Sequence, residues 1–551
     1  MLASSTPPLR TAVAAITLVA VATPAPAQNA TDRIEAALAA EAVPVAPAPP
    51  AAGGPTVSQG GVVRAPSGET VEASAILVEG APSIPPAEFL AATEPYLARA
   101  LDDADLRALA TAVANVLRGR GYVFATARVP SQELRHGVLR VSADEGRIDR
   151  VRFTGRERPA VARALRDLTD GQPVTATRLQ RALLVAGDLP GIDLRDSSYA
   201  TEDGRGVLTV APAVQRTEWF AGLDNHGSGS AGPIRLRTRL SINDAALSGD
   251  QLTFRATLTP LDPRELATVG GEYGAVLDGE GTLASLAGSY TRVRAGGRFG
   301  ALGLDGRSVS VNLGLSRPLK RSADANLWGS LDLAVRDSEQ DDRRARLRDD
   351  RVTTLGASLS GYDRLGEGWL SGRATVRQGL GTFGATRSGD PLASRLNGDG
   401  VFTKVEAYAD WTGTVAPRVR VRLAAEGQAA SRPLLSSEEF GIGGPRFGRA
   451  YDYSERRGDN GVAGSVELGY RLAGPVGPAK DVTPYVFLDG GYVDNLRSRR
   501  DGGLVSAGSG LRAAVGRFID AELEVGVPLG PERFETGNRN PRLSFSISAR
   551  F

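Results

Sequence analysis

Residues 542–551 read RLSFSISARF, and apolar and polar residues alternate through the segment without a break. Successive side chains of a β-strand point to opposite faces, so the leucine, isoleucine, alanine and phenylalanines share one face and the serines and arginines the other. A strand of about 9–11 residues tilted near 45° crosses a bilayer. The segment fits a membrane-spanning strand ending at Phe551, and it fits a half-buried terminal strand of a soluble sheet equally well.

The same alternation recurs from about residue 215 to the end of the chain. The clearest examples are residues 234–243, 252–258, 418–426 and 520–527. Their polar faces carry many charges, and their apolar faces carry almost none. A small closed barrel is filled with apolar side chains, whereas a large transmembrane barrel is apolar outside and polar inside. Residues 215–551 therefore predict an antiparallel transmembrane β-barrel of about sixteen strands, at ~10 residues per crossing plus turns.

The beginning of the chain has the pattern of a secretory signal peptide, which we expect to cover residues 1–27. Arg10 precedes an apolar run at residues 11–22, and Ala25 and Ala27 fit an A-x-A cleavage site. The apolar run is shorter than the ~20 residues that a membrane-spanning helix needs. An exported membrane protein without such a helix must cross the bilayer with the strands of a closed barrel.

Between the signal peptide and the barrel, the chain divides into a linker region and two similar modules. Residues 28–61 predict a short helix at 31–41 and then an extended, poorly packed linker rich in proline and alanine. Residues 62–146 and 147–214 each predict the order strand, helix, helix, strand, strand. The helix that begins at Asp103 is the clearest, because its apolar residues recur at helical spacing. Two small α/β modules are therefore expected before the barrel.

The composition argues against several classes of function. The chain has no cysteine, so disulfides and thiolate sites are excluded, and its formal net charge of +2 predicts no nucleic-acid partner. Its two histidines, His136 and His226, lie far apart in separate predicted domains. Because catalytic histidines work beside a carboxylate or a nucleophile, neither is a good candidate. We expect no catalytic residue, no metal site and no cofactor.

The order of signal peptide, two βααββ modules and strand-rich C-terminal part resembles the transporters of two-partner secretion, the hemolysin-activator type called TpsB. The modules then correspond to POTRA domains. In the first module, the runs 129–132 (VPSQ), 136–139 (HGVL) and 145–148 (EGRI) are similar to the family's "lPxQ…G.l…eGrI" pattern. The resemblance implies that Pro130, Gln132 and Gly137 are motif residues of this POTRA domain.

A second similarity lies in residues 440–451, which resemble the long loop of this family with its V-R-G-Y/F motif. Gly443 and Gly444 precede the motif, and Arg449 and Tyr451 occupy the matching arginine and aromatic positions. This chain departs from the pattern twice, with Gly448 in place of the valine and Ala450 in place of the glycine.

The partner motif of the family, F-[IL]-D-x-G, is present unaltered at residues 487–491. Strand alternation puts Tyr485, Phe487 and Asp489 on one face, which the resemblance implies is the lumen, and the resemblance makes Phe487, Asp489 and Gly491 the wall partner of the loop. The resemblance further implies that the loop folds into the barrel and that Arg449 pairs with Asp489, since a confined arginine–carboxylate pair is stronger than an exposed one. Arg446 is the competing partner.

As the resemblance implies, the barrel lies in the outer membrane with its POTRA domains in the periplasm, and it exports a partner exoprotein. That partner carries an N-terminal transport domain and passes through the lumen unfolded. Phe551 is then the signal read by the barrel-assembly machinery, and residues 31–41 form a plug helix. An insertase of outer-membrane proteins is the alternative. A barrel hydrolase lacks a nucleophile–base pair, and a passive porin leaves the two modules unexplained.

Overall fold

The computed structural model of the chain describes residues 56–60, 70–497 and 501–551. The expected signal peptide at 1–27 and the expected plug helix at 31–41 lie outside these described residues. Across the described ranges, every helix is too short or too polar to span a bilayer.

The first module is a three-stranded sheet covered by helices. Its elements are β2 Val71–Glu72, β3 Ala75–Glu79, 3-10 turn Pro86–Phe89, helix Leu90–Thr93, 3-10 turn Glu94–Tyr96, β4 Ala100–Leu101, helix Asp103–Gly119, β5 Thr126–Arg128 and β6 Val138–Asp144. β6 lies between β3 and β5. The long helix begins at a capping box, in which the Asp102 carboxylate accepts hydrogen bonds from Ala104 N and Asp105 N, both at 2.8 Å. Leu109, Val113 and Leu117 form its fully buried face.

The second module repeats the pattern, and its core includes a residue from the first. Its elements are β7 Arg150–Phe153, helix Pro159–Leu165, 3-10 turn Arg166–Thr169, helix Ala176–Gly187, β8 Ile192–Glu202 and β9 Arg205–Val214. The ring of Phe124, from the first module, stacks on Tyr199 with 3.7 Å between centroids. In the segment that follows the long helix, Thr126–Arg128 pair with β6, whereas Phe124 packs in the second module's core.

A short segment before the first module adds a strand to the second. β1, Thr56–Gly60, pairs in parallel with residues 196–200 of β8, so the sheet order is β1, β8, β9, β7. This differs from the expected unpaired linker. The physical reason is that β8 is the outer strand of its own module, and its free backbone groups accept an extended segment of nearly any sequence.

In the described part of the chain, sixteen antiparallel strands close into one barrel, as the alternation predicted. They are β10 Thr217–Asp224, β11 Arg235–Asn243, β12 Asp250–Leu258, β13 Leu266–Val276, β14 Leu283–Arg294, β15 Asp305–Arg321, β16 Ala325–Asp341, β17 Arg346–Leu365, β18 Gly368–Leu380, β19 Thr403–Ala416, β20 Val419–Ala430, β23 Asn460–Tyr470, β24 Ala479–Asp494, β25 Gly502–Val515, β26 Ile519–Pro528 and β27 Arg542–Arg550. Short strands β21 Phe440–Ile442 and β22 Arg456–Gly458 pair with each other inside a long loop. 3-10 turns also occur at Gly297–Leu302 and Ser436–Glu438.

The last strand closes the barrel as its alternation predicted. β27 pairs with β26 on one side and with β10 on the other. Leu543 and Ile547 are exposed on the outer face, whereas Ser544 is buried on the inner face. Phe551 extends the seam, since its backbone and that of Trp219 exchange two hydrogen bonds of 3.0 Å.

The second module docks on the strand turns at one end of the barrel. Arg321, on β15, binds both carboxylate oxygens of Asp188, with Nε–Oδ2 and Nη2–Oδ1 distances of 2.6 and 2.7 Å. Arg158 binds Asp244 at 3.0 Å, and Arg181 binds Glu280 at 2.8 Å. The modules therefore lie at this end of the barrel. The loops at the other end of the strands lie on the opposite side of the membrane.

Candidate functional site

The candidate site is where the loop between β20 and β23, residues 431–459, meets the inner wall of the barrel. β21 and β22 form the two sides of the loop. Gly443 and Gly444 then turn the chain, with φ angles of 108° and 97°, a conformation that favours glycine. A β-carbon on Gly443 would lie 2.4 Å from the carbonyl oxygen of Asp452. These glycines therefore fold the loop back tightly enough to present its tip, residues 445–451, to the wall.

The structure brings Arg449 of the tip and Asp489 of β24 into direct contact. Arg449 Nε donates to Asp489 Oδ2 at 2.8 Å. The other carboxylate oxygen accepts from the backbone N–H groups of Gly448 and Arg449, at 2.9 and 3.3 Å, and from the Ser506 hydroxyl. Because both side chains are buried, with Asp489 fully covered, the pair is shielded from water.

The remaining guanidinium nitrogens of Arg449 bind β23, which pairs with β24, and β26, which is separated from β24 by β25. Nη1 lies 3.0 Å from a carboxylate oxygen of Glu467, on β23, and 3.0 Å from one of Glu524, on β26. Nη2 donates to the hydroxyl of Ser465 at 2.9 Å. The guanidinium carbon lies 3.9 Å from the centre of the Phe487 ring. One loop arginine thus contacts three strands of the barrel wall at once.

A second layer of charges holds these carboxylates in place. Arg512, on β25, binds both Glu467, at 3.0 Å through Nη2, and Glu522, at 2.8 Å through Nε. The Tyr485 hydroxyl lies 2.7 Å from Glu522 and 2.8 Å from Glu524. Since each carboxylate facing Arg449 has a second partner of its own, the wall is preorganised to receive a cation.

Tyr451 anchors the other end of the tip. It is fully buried, and its hydroxyl donates to the carbonyl of Pro531 and accepts from Gly530 N, both at 3.1 Å. Burial raises the pKa of this phenol to about 12, so it remains a hydrogen-bond donor at any physiological pH. Arg542, at the start of β27, donates to the Tyr451 carbonyl and to the carbonyls of Asn225 and Gly227. The tip is therefore fastened near the barrel seam as well.

The two departures from the loop motif have a structural explanation. Gly448 has a φ of 81°, whereas Ala450 is not among the residues with positive φ, so the left-handed turn comes before the arginine. A β-carbon built on Gly526, on the facing wall, would lie 3.0 Å from Ala450 Cα and 3.2 Å from Ala450 Cβ. The alanine is accommodated because the wall strand has a glycine at the contact point.

The other wall-motif residues also face the loop. Gly491 leaves room for Ile442, whose Cγ2 would lie 2.9 Å from a β-carbon at that position.

Arg446 takes no part in the Asp489 contact. Its guanidinium is half exposed, lies 3.2 Å from Glu426 and covers the ring of Tyr408 at 4.8 Å.

The predicted POTRA residues lie far from this site and brace the first module. The Gln132 side chain pairs with the backbone of Arg140, accepting from its N–H at 3.0 Å and donating to its carbonyl at 2.7 Å. It also donates to the Pro130 carbonyl at 3.3 Å. Gly137, with a φ of 71°, accepts hydrogen bonds from Ser74 N and Ala75 N at the start of β3. These contacts fix the connection that leads into β6.

Among the described residues, one group of carboxylates is close enough to share a cation: Asp337, Glu339 and Asp349. Each already has an arginine partner, namely Arg351, Arg307 and Arg346 respectively. The arrangement is a network of ion pairs on β15–β17.

Comparison with known proteins relates this architecture to a family. The sequence profile described as haemolysin secretion/activation protein ShlB/FhaC/HecB matches residues 207–513, more than half of the chain. The profile of the ShlB-type POTRA domain matches residues 71–146.

Two relatives illustrate the range of similarity. The outer membrane transporter CdiB of Escherichia coli O6:K15:H31 (strain 536 / UPEC) is 24% identical over 497 residues, which cover 83% of this chain and 78% of CdiB. The heme/hemopexin transporter protein HuxB of Haemophilus influenzae (strain ATCC 51907 / DSM 11121 / KW20 / Rd) is 21% identical over 397 residues, covering 68% of this chain and 66% of HuxB. For HuxB of strain 86-028NP, the match covers only 42% of each protein.

Solved structures share the fold. That of CdiB from Escherichia coli superposes with a TM-score of 0.70 at 20% identity, covering 91% of this chain and 94% of CdiB. BamA from Haemophilus ducreyi lacking POTRA domains 1–3 superposes with a TM-score of 0.53 at 12% identity, covering 88% of this chain and all of that one.

Proposed function

Since the chain belongs to the haemolysin secretion/activation protein ShlB/FhaC/HecB family, we propose that it is the outer-membrane transporter of a two-partner secretion system. Its cargo is a partner exoprotein with an N-terminal transport domain, which moves unfolded from the periplasm to the cell surface. We assign residues 62–146 and 147–214 to two periplasmic POTRA domains that capture the partner, and residues 215–551 to the translocating barrel. No enzymatic step and no nucleic acid take part.

The observation that carries this proposal is the contact between Arg449 and Asp489. A loop of 29 residues, 431–459, reaches into the lumen and is held there by one arginine surrounded by carboxylates from three strands. This contact is made by side chains and by two backbone N–H groups of the tip, and none of them belongs to the strand ladder, so the contact can be released without breaking the barrel. We propose that Arg449 and Tyr451 with Asp489 and Phe487 form a lock that sets the resting position of the loop, and that export requires both this resting position and the later departure of the tip from it.

Capture of the partner is proposed to use the backbone of the POTRA sheets. An extended segment can add to a sheet edge through main-chain hydrogen bonds. The outer edge of β8 is occupied by β1 of the same chain, over residues 196–200. A partner segment that binds at this edge therefore has to displace β1, whereas β3 and β5 are the outer strands of the first module.

Further partners follow from the outer surface and the last residue. Exposed apolar side chains on the barrel strands, such as Leu313, Leu331 and Leu355, suit contact with lipid. We propose that Phe551 serves as the signal for the barrel-assembly machinery, and that residues 31–41 plug the lumen.

The insertase reading is weaker on two counts. The two modules and the preceding linker favour secretion, and the family match is to secretion proteins. The similarity to BamA shows only that the two proteins share a fold.

The test is a comparison of secreted and outer-membrane proteins with and without this transporter. Deletion should remove one large protein from the cell surface or medium, and plasmid-borne wild type should restore it. Mass spectrometry of the outer membrane should show all other barrels at unchanged levels. Loss of several barrels with no missing exoprotein would contradict secretion and support the insertase.

A further inference from the structure

A second buried ion pair lies at the root of the same loop, away from the lock. Asp459, which directly precedes β23, is completely buried. Its Oδ1 accepts from Arg395 Nη1 at 2.6 Å, and its Oδ2 accepts from Arg395 Nη2 at 3.2 Å. Arg395 belongs to a different loop, residues 381–402, and its side chain is only 10% exposed. The pair thus joins two loops at the end of the barrel opposite the modules.

The Asp459 carboxylate also accepts hydrogen bonds from backbone N–H groups of two other segments. Leu434 N, in the loop 431–459, donates to Asp459 Oδ1 at 2.7 Å. Leu496 N, just after β24, donates to Oδ2 at 2.8 Å. Four hydrogen bonds saturate a carboxylate that has no access to water. Asp459 therefore links the segments around Arg395, Leu434 and Leu496, which we call the lid.

Further contacts give the lid its own small core. Leu434 and Leu435 are fully buried with Phe402 and Val352. Ser436 N donates to the Ser394 hydroxyl at 2.9 Å, and Ser436 is 2% exposed. Arg395 Nη1 also binds Glu439 at 2.7 Å. Packing and charge thus hold the lid together independently of the tip.

The position of the pair distinguishes it from the lock. Arg449 joins a loop to wall strands, whereas Arg395 and Asp459 both lie between strands, so their separation leaves the barrel ladder intact. We propose that Arg395–Asp459 is the latch of an extracellular lid, which must open for the exported chain to reach the surface. This inference rests on the proposed function, in which the lock at Arg449 is the inner barrier and the latch is the outer one.

The physical basis is the cost of an unpaired buried charge. Removing Arg395 leaves Asp459 with two backbone donors and no cation, and such a carboxylate draws in water. The lid then opens, because hydration of Asp459 requires the segments around it to separate. The latch residues are positioning residues, since no exported chain needs to touch them.

The experiment measures lid opening directly and uses the absence of cysteine in this chain. Ser436→Cys places a single thiol in the buried core of the lid. Its labelling on intact cells by a charged, membrane-impermeant maleimide should rise at least tenfold with Arg395→Met. The matched control is Arg387→Met in the same loop, where the side chain is 60% exposed and paired with Asp399. This control should label at the wild-type rate.

Two additional variants keep the test decisive. Asp459→Asn should raise the labelling rate as Arg395→Met does. The double variant should label no faster than either single variant, because the two substitutions break the same ion pair. All variants should keep the heat-resistant barrel form. Wild-type labelling rates in both single variants, or additive effects in the double variant, would overturn the latch. Because labelling is read without export, it remains informative even if the proposed function fails, and failure of the latch leaves the Arg449 lock untouched.

Discussion

Arg449 and Asp489 lie 2.8 Å apart, Nε to Oδ2, and both side chains are buried. The arginine has three carboxylate partners and the aspartate has hydrogen bonds from a hydroxyl and two backbone N–H groups. Together, these hydrogen bonds and ion pairs hold the loop in a single position.

Replacing either member of the pair should reduce export at least tenfold and leave the barrel folded. Arg449→Ala leaves Asp489, Glu467 and Glu524 facing one another, at a local cost of about 3–5 kcal/mol. The loop then lacks its fixed position, and we expect export to fall at least tenfold for Arg449→Ala and for Asp489→Ala. Both should retain heat-resistant mobility in gels, because the strand ladders are untouched.

Arg446→Ala is the matched control for that experiment. Arg446 lies on the same loop tip, but its side chain is 51% exposed and contacts Glu426 rather than Asp489. Export by this variant should stay within twofold of wild type, since exposed pairs contribute only about 0–1 kcal/mol. Equal losses for Arg446→Ala and Arg449→Ala would show that any tip change impairs export.

The glycine on the wall predicts a steric effect. Gly526→Ala puts a methyl group 3.0 Å from Ala450 Cα, and such overpacking costs about 1–3 kcal/mol. We expect reduced export, and only partial recovery in Gly526→Ala/Ala450→Gly, because the Cα and N atoms of residue 450, each 3.0 Å from the new methyl group, remain in place. Gly464→Ala, on β23, is the control because its β-carbon would meet only the Ala424 carbonyl oxygen, at an ordinary 3.6 Å.

The junction between the second module and the barrel predicts a change in module motion. Arg321→Met breaks the bidentate contact with Asp188, whereas Arg317→Met, on the same strand, changes a side chain that is 52% exposed. Spin-label distances between the module and the barrel should broaden in the first variant only. Narrow distributions in both would mean that the remaining contacts suffice.

The pairing of β1 with β8 predicts competition for one sheet edge. Ser58→Pro removes a backbone N–H and should weaken β1 pairing, so an unfolded partner segment should bind the modules more tightly than in wild type. Ser58→Ala keeps the backbone and should bind as wild type does, measured by titration of the labelled segment. Weaker binding by Ser58→Pro would mean that β1 helps capture.

The sequence predicted the barrel well because alternation is a local signal. In β27, the serine face predicted by alternation is buried at Ser544, and Phe487 and Asp489, which alternation placed on one face, are both buried. The sequence could not select Glu467 and Glu524 as partners of Arg449, although Glu524 was on a predicted polar face, because strand pairing and loop path decide which inner charges meet. The pairing of β1 was missed for a similar reason, since its five residues carry no pattern specific to a partner.

The central claim is that the tip must leave the lock for export. A reversible disulfide between the tip and the barrel wall tests it most directly. In Ala450→Cys/Gly526→Cys, the two β-carbons start 3.2 Å apart, close to the ~3.5–4.5 Å of a disulfide. The chain has no other cysteine to interfere. The oxidised protein should export at less than a tenth of the rate of the same protein after reduction. The single-cysteine variants should export at the same rate with and without the reductant. Equal export by the oxidised and reduced forms would contradict the account.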